Sequence, residues 1–128
     1  MKSINKPFLR VFQVVFASAL TLFSVHAFGQ TTKTIKGEVL DLSCYMGGGN
    51  EGRGNVHYVC TKRCLEKGLP AGILSSDGKV YVLIENHRLS AAYKTAIEHG
   101  GDNVTITGRV YNRGGLPSLY VEKIKVND

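Results

Sequence analysis

Residues 71–84 read AGILSSDGKVYVLI, and this stretch decides the fold class of the chain. Two runs rich in strand-forming residues, 71–75 and 79–84, flank a Ser-Asp-Gly sequence at 76–78. Asp-Gly between two such runs is typical of the tight turn of a β-hairpin. The stretch therefore predicts two antiparallel strands joined by a short turn.

Patterns on both sides of this hairpin predict further elements. They are strands over 35–43, 103–111 and 118–126, and a helix over 90–99. In the last strand the alternation of apolar residues shifts between Val121 and Ile124, which predicts a β-bulge or a change of buried face.

Five strands with one helix between the third and fourth match the oligonucleotide/oligosaccharide-binding (OB) barrel. We therefore predict a mainly β protein with a five-stranded OB-like barrel. A second helix, which carries cysteine and histidine, would be inserted between strands 1 and 2. The domain would span residues 30–128, with the Cys/His insertion at 44–70.

Residues 1–29 have the pattern of a secretory signal peptide. Basic residues without an acid precede an apolar run over 11–25, and Ala27 and Gly29 are spaced as signal peptidase requires. The run is shorter than the ~20 residues of a membrane-spanning helix, although an uncleaved anchor is the alternative. We expect a periplasmic or secreted protein that meets the membrane only through the uncleaved signal.

Charge limits the class of partner. Cleavage after Gly29 would remove three of the sixteen basic residues and none of the ten acids, so the net charge would fall from +6 to +3. A strong basic patch is the first requirement of nucleic-acid binding, and export removes that target. We expect a metal ion or small ligand as partner, and no nucleic acid.

All three cysteines lie between residues 44 and 70. His57, Cys60 and Cys64 have the spacing i, i+3 and i+7, which places them on one face of a helix predicted over 56–67. Asn55 would cap that helix. The spacing predicts three metal ligands pointing the same way.

A fourth ligand is predicted from outside that helix. Cys44 would end the first strand and fold back over the helix through a flexible glycine-rich run at 47–54. Three thiolates and an imidazole form a common tetrahedral Zn²⁺ site, and thiolates also favour Cu(I). Met46 is an additional candidate ligand for copper.

Three further expectations concern charged and histidine side chains. The basic side chains Lys62, Arg63 and Lys67 should favour deprotonated thiols. Asp41 is expected to be a solvated carboxylate at the edge of the first strand, and the alternative is that it orders a nearby backbone or histidine N–H. His87 and His99, which flank the helix over 90–99, are expected to be ordinary surface residues.

A disulfide is the alternative to a metal. Cys44 bridged to Cys60 or to Cys64 would fix the glycine-rich run. A Cys60–Cys64 bridge inside a helix is strained, since Cβ atoms at i and i+4 are ~5–6 Å apart and a disulfide needs ~3.8 Å. The alternative function is that of a disulfide-stabilised OB-like envelope protein that binds a partner or small ligand, or that of a thiol-redox protein. A Cys-x-x-Cys motif is missing, and we expect a binding module rather than an enzyme.

Several motifs resemble one group of proteins. They are Gly37-Glu38-Val39-Leu40-Asp41-Leu42-Ser43-Cys44-Tyr45, His57-x-x-Cys60-x-x-x-Cys64, Gly68-x-Pro70-x-Gly72, Asp77-Gly78-Lys79-Val80-Tyr81 and Val104-Thr105-Ile106-Thr107-Gly108. Together they resemble small exported bacterial proteins with an OB-like barrel, whose function is uncharacterised. The resemblance implies the barrel fold and implies that the cysteine segment acts as one unit, but it implies no activity.

Overall fold

A computed structural model describes residues 31–127. In chain order its elements are β1 (Thr31–Asp41), α1 (Leu42–Gly48), a 3-10 helix (Gly49–Gly52), α2 (Tyr58–Glu66), β2 (Ala71–Ser75), β3 (Val80–Ile84), α3 (Ser90–Glu98), β4 (Asn103–Arg113) and β5 (Leu116–Val126). The predicted signal peptide lies outside the described residues. Within residues 31–127, no helix is long and apolar enough to cross a membrane.

The five strands close into one barrel in the order β1-β2-β3-β5-β4, and β4 pairs back with β1. β3 and β5 run parallel, whereas the other neighbouring strands run antiparallel. This confirms the predicted mainly β, closed five-stranded barrel, and it is consistent with an OB-like fold. Closure pairs the strands on both sides and so removes the free edges of an open sheet.

The hairpin predicted over 71–84 is present. β2 pairs antiparallel with β3, with Gly72 opposite Val82. Gly78 has a φ of 82°, and its N–H donates to the carbonyl oxygen of Ser75 at 2.9 Å. Because glycine adopts a positive φ without steric cost, the Asp-Gly sequence sets the turn.

The predicted irregularity in the last strand is a β-bulge. Thr107 lies opposite Lys123, whereas the next residue of β4 lies opposite Val121, so Glu122 is the extra residue on β5. The bulge allows Val121 to be fully buried and Ile124 to pack against the same core. This confirms the bulge predicted from the apolar pattern.

The core combines side chains from the five strands with one from α2 and one from α3. Its buried members are Ile35, Val39, Leu65, Ala71, Ile73, Tyr81, Leu83, Ala96, Val104, Ile106, Leu119 and Val121. Leu65 and the buried Thr61 are i+4 neighbours on α2, so one stripe of this short helix is fixed against the barrel. The adjacent stripe, which carries Cys60 and Cys64, is held in place as a result.

Two predictions around the glycine-rich run were wrong. β1 ends at Asp41 rather than Ser43, because Asp41 Oδ1 accepts a hydrogen bond from the Ser43 N–H at 2.9 Å and caps α1. Cys44 therefore lies in α1 rather than at a strand end. The glycine-rich run is also structured: a Cβ on Gly52 would lie 2.2 Å from the Cys44 carbonyl oxygen, so these two backbones pack closely.

The predicted start of the Cys/His helix was also displaced. α2 begins at Tyr58, and His57 rather than Asn55 occupies its N-cap position, where it makes no side-chain cap hydrogen bond. The N–H of His57 instead donates to the carbonyl oxygen of Gly54 at 3.0 Å. A turn over 54–57 therefore leads into the helix, where capping by Asn55 had been expected.

Candidate metal centre

Two segments bring the predicted ligands together. Cys44 comes from α1, and His57, Cys60 and Cys64 come from α2 and the residue before it. Ligand atoms of Cys44, His57 and Cys60 all lie within 4.8 Å of one another. The sulfur atoms of Cys60 and Cys64 are 3.8 Å apart. Helical spacing accounts for the proximity of Cys60 and Cys64, and Cys44 from α1 links them to His57, which lies just before α2.

The three sulfur atoms form a closed triangle. Cys44 and Cys64 belong to a second group, completed by Asp41, whose ligand atoms also lie within 4.8 Å of one another. No edge of this sulfur triangle of Cys44, Cys60 and Cys64 is therefore longer than 4.8 Å. His57 lies near the Cys44–Cys60 edge, and Asp41 lies near the Cys44–Cys64 edge.

The dimensions of the sulfur triangle fit a tetrahedral ion. With Zn–S bonds of ~2.3 Å, two thiolates on a tetrahedral zinc are ~3.8 Å apart. The Cys60–Cys64 separation of 3.8 Å has this value, and the other edges need to shorten by no more than about 1 Å to reach it. Small changes in side-chain rotation would therefore complete a thiolate set.

Two buried polar atoms next to the sulfur triangle have no hydrogen-bond partner among the described residues. They are Nε2 of His57 and Oδ2 of Asp41. Asp41 is 0% exposed, so the prediction of a solvated carboxylate was wrong. Buried polar atoms are nearly always paired, and an ion is one of the partners that accounts for an exception.

The pKa values of two thiols in the sulfur triangle, Cys44 and Cys64, are raised above the ordinary cysteine value. The pKa of Cys44 is raised to about 12, first by hydrogen bonding to Asp41, then by desolvation and by the charge of Asp41. Asp41 is fully buried, so its negative charge is poorly screened at the Cys44 sulfur. Desolvation and hydrogen bonding to Cys60 raise the pKa of Cys64.

The expected lowering of these pKa values by Lys62, Arg63 and Lys67 is therefore wrong for Cys44 and Cys64. The largest cause is the nearby Asp41 carboxylate for Cys44 and desolvation for Cys64, and the neighbouring cations do not offset either of them. A metal ion would have to displace these protons, so binding would release them to solvent.

A buried carboxylate on β1 positions the segment that carries His57. Glu38 accepts hydrogen bonds from Arg53 Nε at 3.0 Å and from the Gly54 N–H at 2.6 Å. The carbonyl oxygen of His57 in turn accepts from the N–H and the hydroxyl of Thr61, at 2.9 and 3.2 Å. The backbone around His57 is thus held from β1 on one side and from the buried stripe of α2 on the other.

The other candidate residues lie outside the two groups. Met46 is 72% exposed, and its role as a copper ligand stays a prediction. His87 is exposed, and His99 Nδ1 lies 2.8 Å from Asp102 Oδ2. The three cysteines are free thiols, so neither Cys44–Cys60 nor Cys44–Cys64 is bridged in the described part of the chain.

Sequence reasoning missed Glu38 as a site residue, and for Asp41 it missed the burial, although the alternative that Asp41 orders a backbone N–H is confirmed at Ser43. Asp41 lies between Leu40 and Leu42 and two residues before Ser43. A short acidic side chain between apolar residues, followed by a helix start, is the signature of a buried N-cap. Glu38 carries no comparable signal, since its partner is 15 residues away in the chain.

Comparisons with protein-family models, with curated proteins and with solved structures found no match. A function must therefore be inferred from the chemistry of the described residues. The cysteine cluster, with its two unpartnered buried atoms, offers the most specific chemistry in this part of the chain.

Proposed function

We propose that this protein is a metal-binding module that holds one divalent ion of the zinc class through Cys44, His57, Cys60 and Cys64. The observation that carries this proposal is the sulfur triangle, with its 3.8 Å edge between Cys60 and Cys64. The unpartnered Nε2 of His57 supports it as well, since an imidazole beside three thiolates completes a common zinc set.

Asp41 favours zinc over copper. Its buried carboxylate lies within 4.8 Å of Cys44 and Cys64, where it can orient a ligand or enter the coordination sphere itself. Oxygen and imidazole ligands suit Zn²⁺, whereas Cu(I) prefers sulfur. Cu(I) is the second candidate, because the three thiolates alone would serve it.

The same proposal covers the architecture and location of the module. The barrel would be OB-like, with α2 as an insertion between β1 and β2 and with α3 between β3 and β4. Removal of residues 1–29 would leave an exported domain over 30–128, in the periplasm or outside the cell. The barrel order β1-β2-β3-β5-β4 supports the first part, and the N-terminal sequence pattern supports the second.

Metal analysis combined with thiol counting tests the proposal. The reduced protein is loaded with Zn²⁺, desalted, and analysed for metal by mass spectrometry. We expect about one zinc per chain in the unmodified protein. Cys60→Ser and His57→Ala should each lower retention sharply, and His87→Ala, an exposed histidine outside the cluster, should not.

A second measurement separates the metal site from a disulfide. After the metal is stripped with chelator under nitrogen, three thiols per chain should react with a thiol reagent. A protein that retains no metal and shows one reactive thiol before reduction would instead contain a disulfide through Cys44, and the proposal would be rejected.

A further inference from the structure

A second cluster of functional side chains lies on the outer face of β4 and β5. Arg109, Tyr111 and Arg113 alternate along β4, so they project to the same side of the sheet. Tyr120 lies opposite Arg109 on β5. We call these four residues the arginine–tyrosine face. It shares no residue with the cysteine cluster.

The side chains of the arginine–tyrosine face stack on one another. The guanidinium carbon of Arg109 is 5.4 Å from the centre of the Tyr120 ring, and that of Arg113 is 5.6 Å from the Tyr111 ring. The two rings are 6.1 Å apart and meet edge to face at 74°. Arg109 Nε also donates to Glu122 Oε1 at 2.8 Å. Both guanidinium groups are thus held in place before any ligand arrives.

Two grooves meet at this face. One, of about 390 Å³, is lined by the arginine–tyrosine face together with Ile84 and Ser118. The other, of about 660 Å³, runs along the turn over 86–89 and shares Arg109 and Tyr120 with the first. Among the described residues, no acidic side chain lines either groove.

The ends of the two grooves carry exposed cations. Arg88 lies at one end, in a turn fixed by Asn86, whose Oδ1 accepts from the Arg88 N–H at 3.1 Å. Arg113 lies in the other groove, close to the β4–β5 turn. Within residues 31–127, neither arginine takes part in an ion pair. The two grooves share Arg109 and Tyr120 and so form one surface groove with two exposed arginines, Arg88 and Arg113, whereas Arg109 between them is ion-paired with Glu122.

We propose that this groove binds an acidic polysaccharide, a sugar chain that carries carboxylate or sulfate groups. Guanidinium groups match such anions in charge and in planar geometry. Tyr111 and Tyr120 line the groove, and their hydroxyl groups can donate to and accept from the hydroxyl groups of a sugar ring. An open groove with charges along its length fits a chain better than a compact small molecule.

The same geometry disfavours single-stranded nucleic acid. Proteins that bind it stack successive bases on exposed aromatic faces. Here an arginine lies over each tyrosine ring, and the rings are inclined at 74° rather than parallel. The face therefore presents supported cations instead of two adjacent stacking platforms.

Binding is measured by calorimetry on the full chain at an ionic strength of about 10 mM, where screening is weak. The probes are an oligogalacturonate (carboxylated), a heparin hexasaccharide (sulfated), a neutral dextran oligosaccharide and an oligothymidylate. We expect binding of at least one acidic sugar, and its identity distinguishes carboxylate from sulfate. Binding of neither acidic sugar, or tighter binding of dextran or of oligothymidylate, would overturn the proposal.

The variant Arg88→Gln/Arg113→Gln removes two exposed contacts, each worth up to about fivefold in affinity. Affinity for the acidic sugar should fall about tenfold, with an unchanged melting temperature. The matched control is Arg63→Gln/Lys67→Gln, which removes two positive charges from exposed residues at the end of α2 and outside both grooves. Equal affinity in the double variant and the unmodified protein, or an equal loss in the control, would overturn the assignment of this groove.

Discussion

Breaking the ion pair between Glu38 and Arg53 should lower both the free energy of unfolding and the affinity for zinc. Arg53 donates to Glu38 Oε2 from Nε at 3.0 Å and from Nη2 at 2.9 Å. The Glu38 side chain is 9% exposed and that of Arg53 is 34% exposed. This pair anchors the segment that ends at His57, so its loss should reach the metal centre.

The expected loss in the free energy of unfolding follows from the partial burial of the Glu38–Arg53 pair. Removing one partner of a fully buried ion pair costs ~3–5 kcal/mol, whereas an exposed pair contributes ~0.2–1 kcal/mol. In Arg53→Met the Gly54 N–H still donates to Glu38, so we expect a loss of about 2 kcal/mol, between these limits. Zinc affinity should fall about tenfold, as when an outer-shell partner of a metal ligand is removed.

Urea denaturation of the reduced, metal-free full chain measures the first effect, and competition with a zinc indicator measures the second. Lys79→Met is the matched control, because the Lys79–Asp77 pair is 68% and 58% exposed and should contribute no more than ~0.5 kcal/mol. Equal losses of stability in the two variants would refute the role of burial. An unchanged zinc affinity in Arg53→Met would refute the link to His57.

Three further predictions concern the barrel and Cys44. Gly37→Ala should destabilise the fold by about 3 kcal/mol, because the added Cβ would lie 2.0 Å from a backbone oxygen of β2. Gly47→Ala in α1, with open space around it, should stabilise the fold by ~0.5–1 kcal/mol. Similar melting temperatures for the two variants would contradict this prediction. Asp41→Asn keeps an oxygen for the helix cap but removes the charge that raises the pKa of Cys44. Alkylation of Cys44 at pH 8, measured by peptide mass mapping, should therefore be at least ~10-fold faster in this variant. An equal rate would show that Asp41 does not control this thiol. The folded state raises the pKa of Cys44 from 9.0 to about 12. In the metal-free protein, the contribution of the protonated Cys44 thiol to the free energy of unfolding should therefore be complete below pH 9.0 and decline toward pH 12. Urea denaturation curves that show no decline over that range would exclude this contribution.

The sequence alone determined the features that depend on neighbouring residues. The Asp-Gly turn at 77–78 needs glycine at a positive φ, and the shifted apolar pattern around Glu122 reports its bulge. The i, i+4 spacing within α2 likewise brought the sulfur atoms of Cys60 and Cys64 to 3.8 Å, because helical geometry is local. These elements could be predicted because each is set within about ten residues.

Tertiary structure decided which of these residues acquire partners and how they are charged. Asp41 was expected in solvent, but it is fully buried beside thiols of α1 and α2, where it raises the pKa of Cys44. The Glu38–Arg53 pair and the stacking of Arg109 on Tyr120 join residues that are distant in the chain. Such contacts depend on strand register and on the path of the intervening backbone. For the same reason, the sequence did not predict the environment of the proposed metal ligands or the charged groove on β4 and β5.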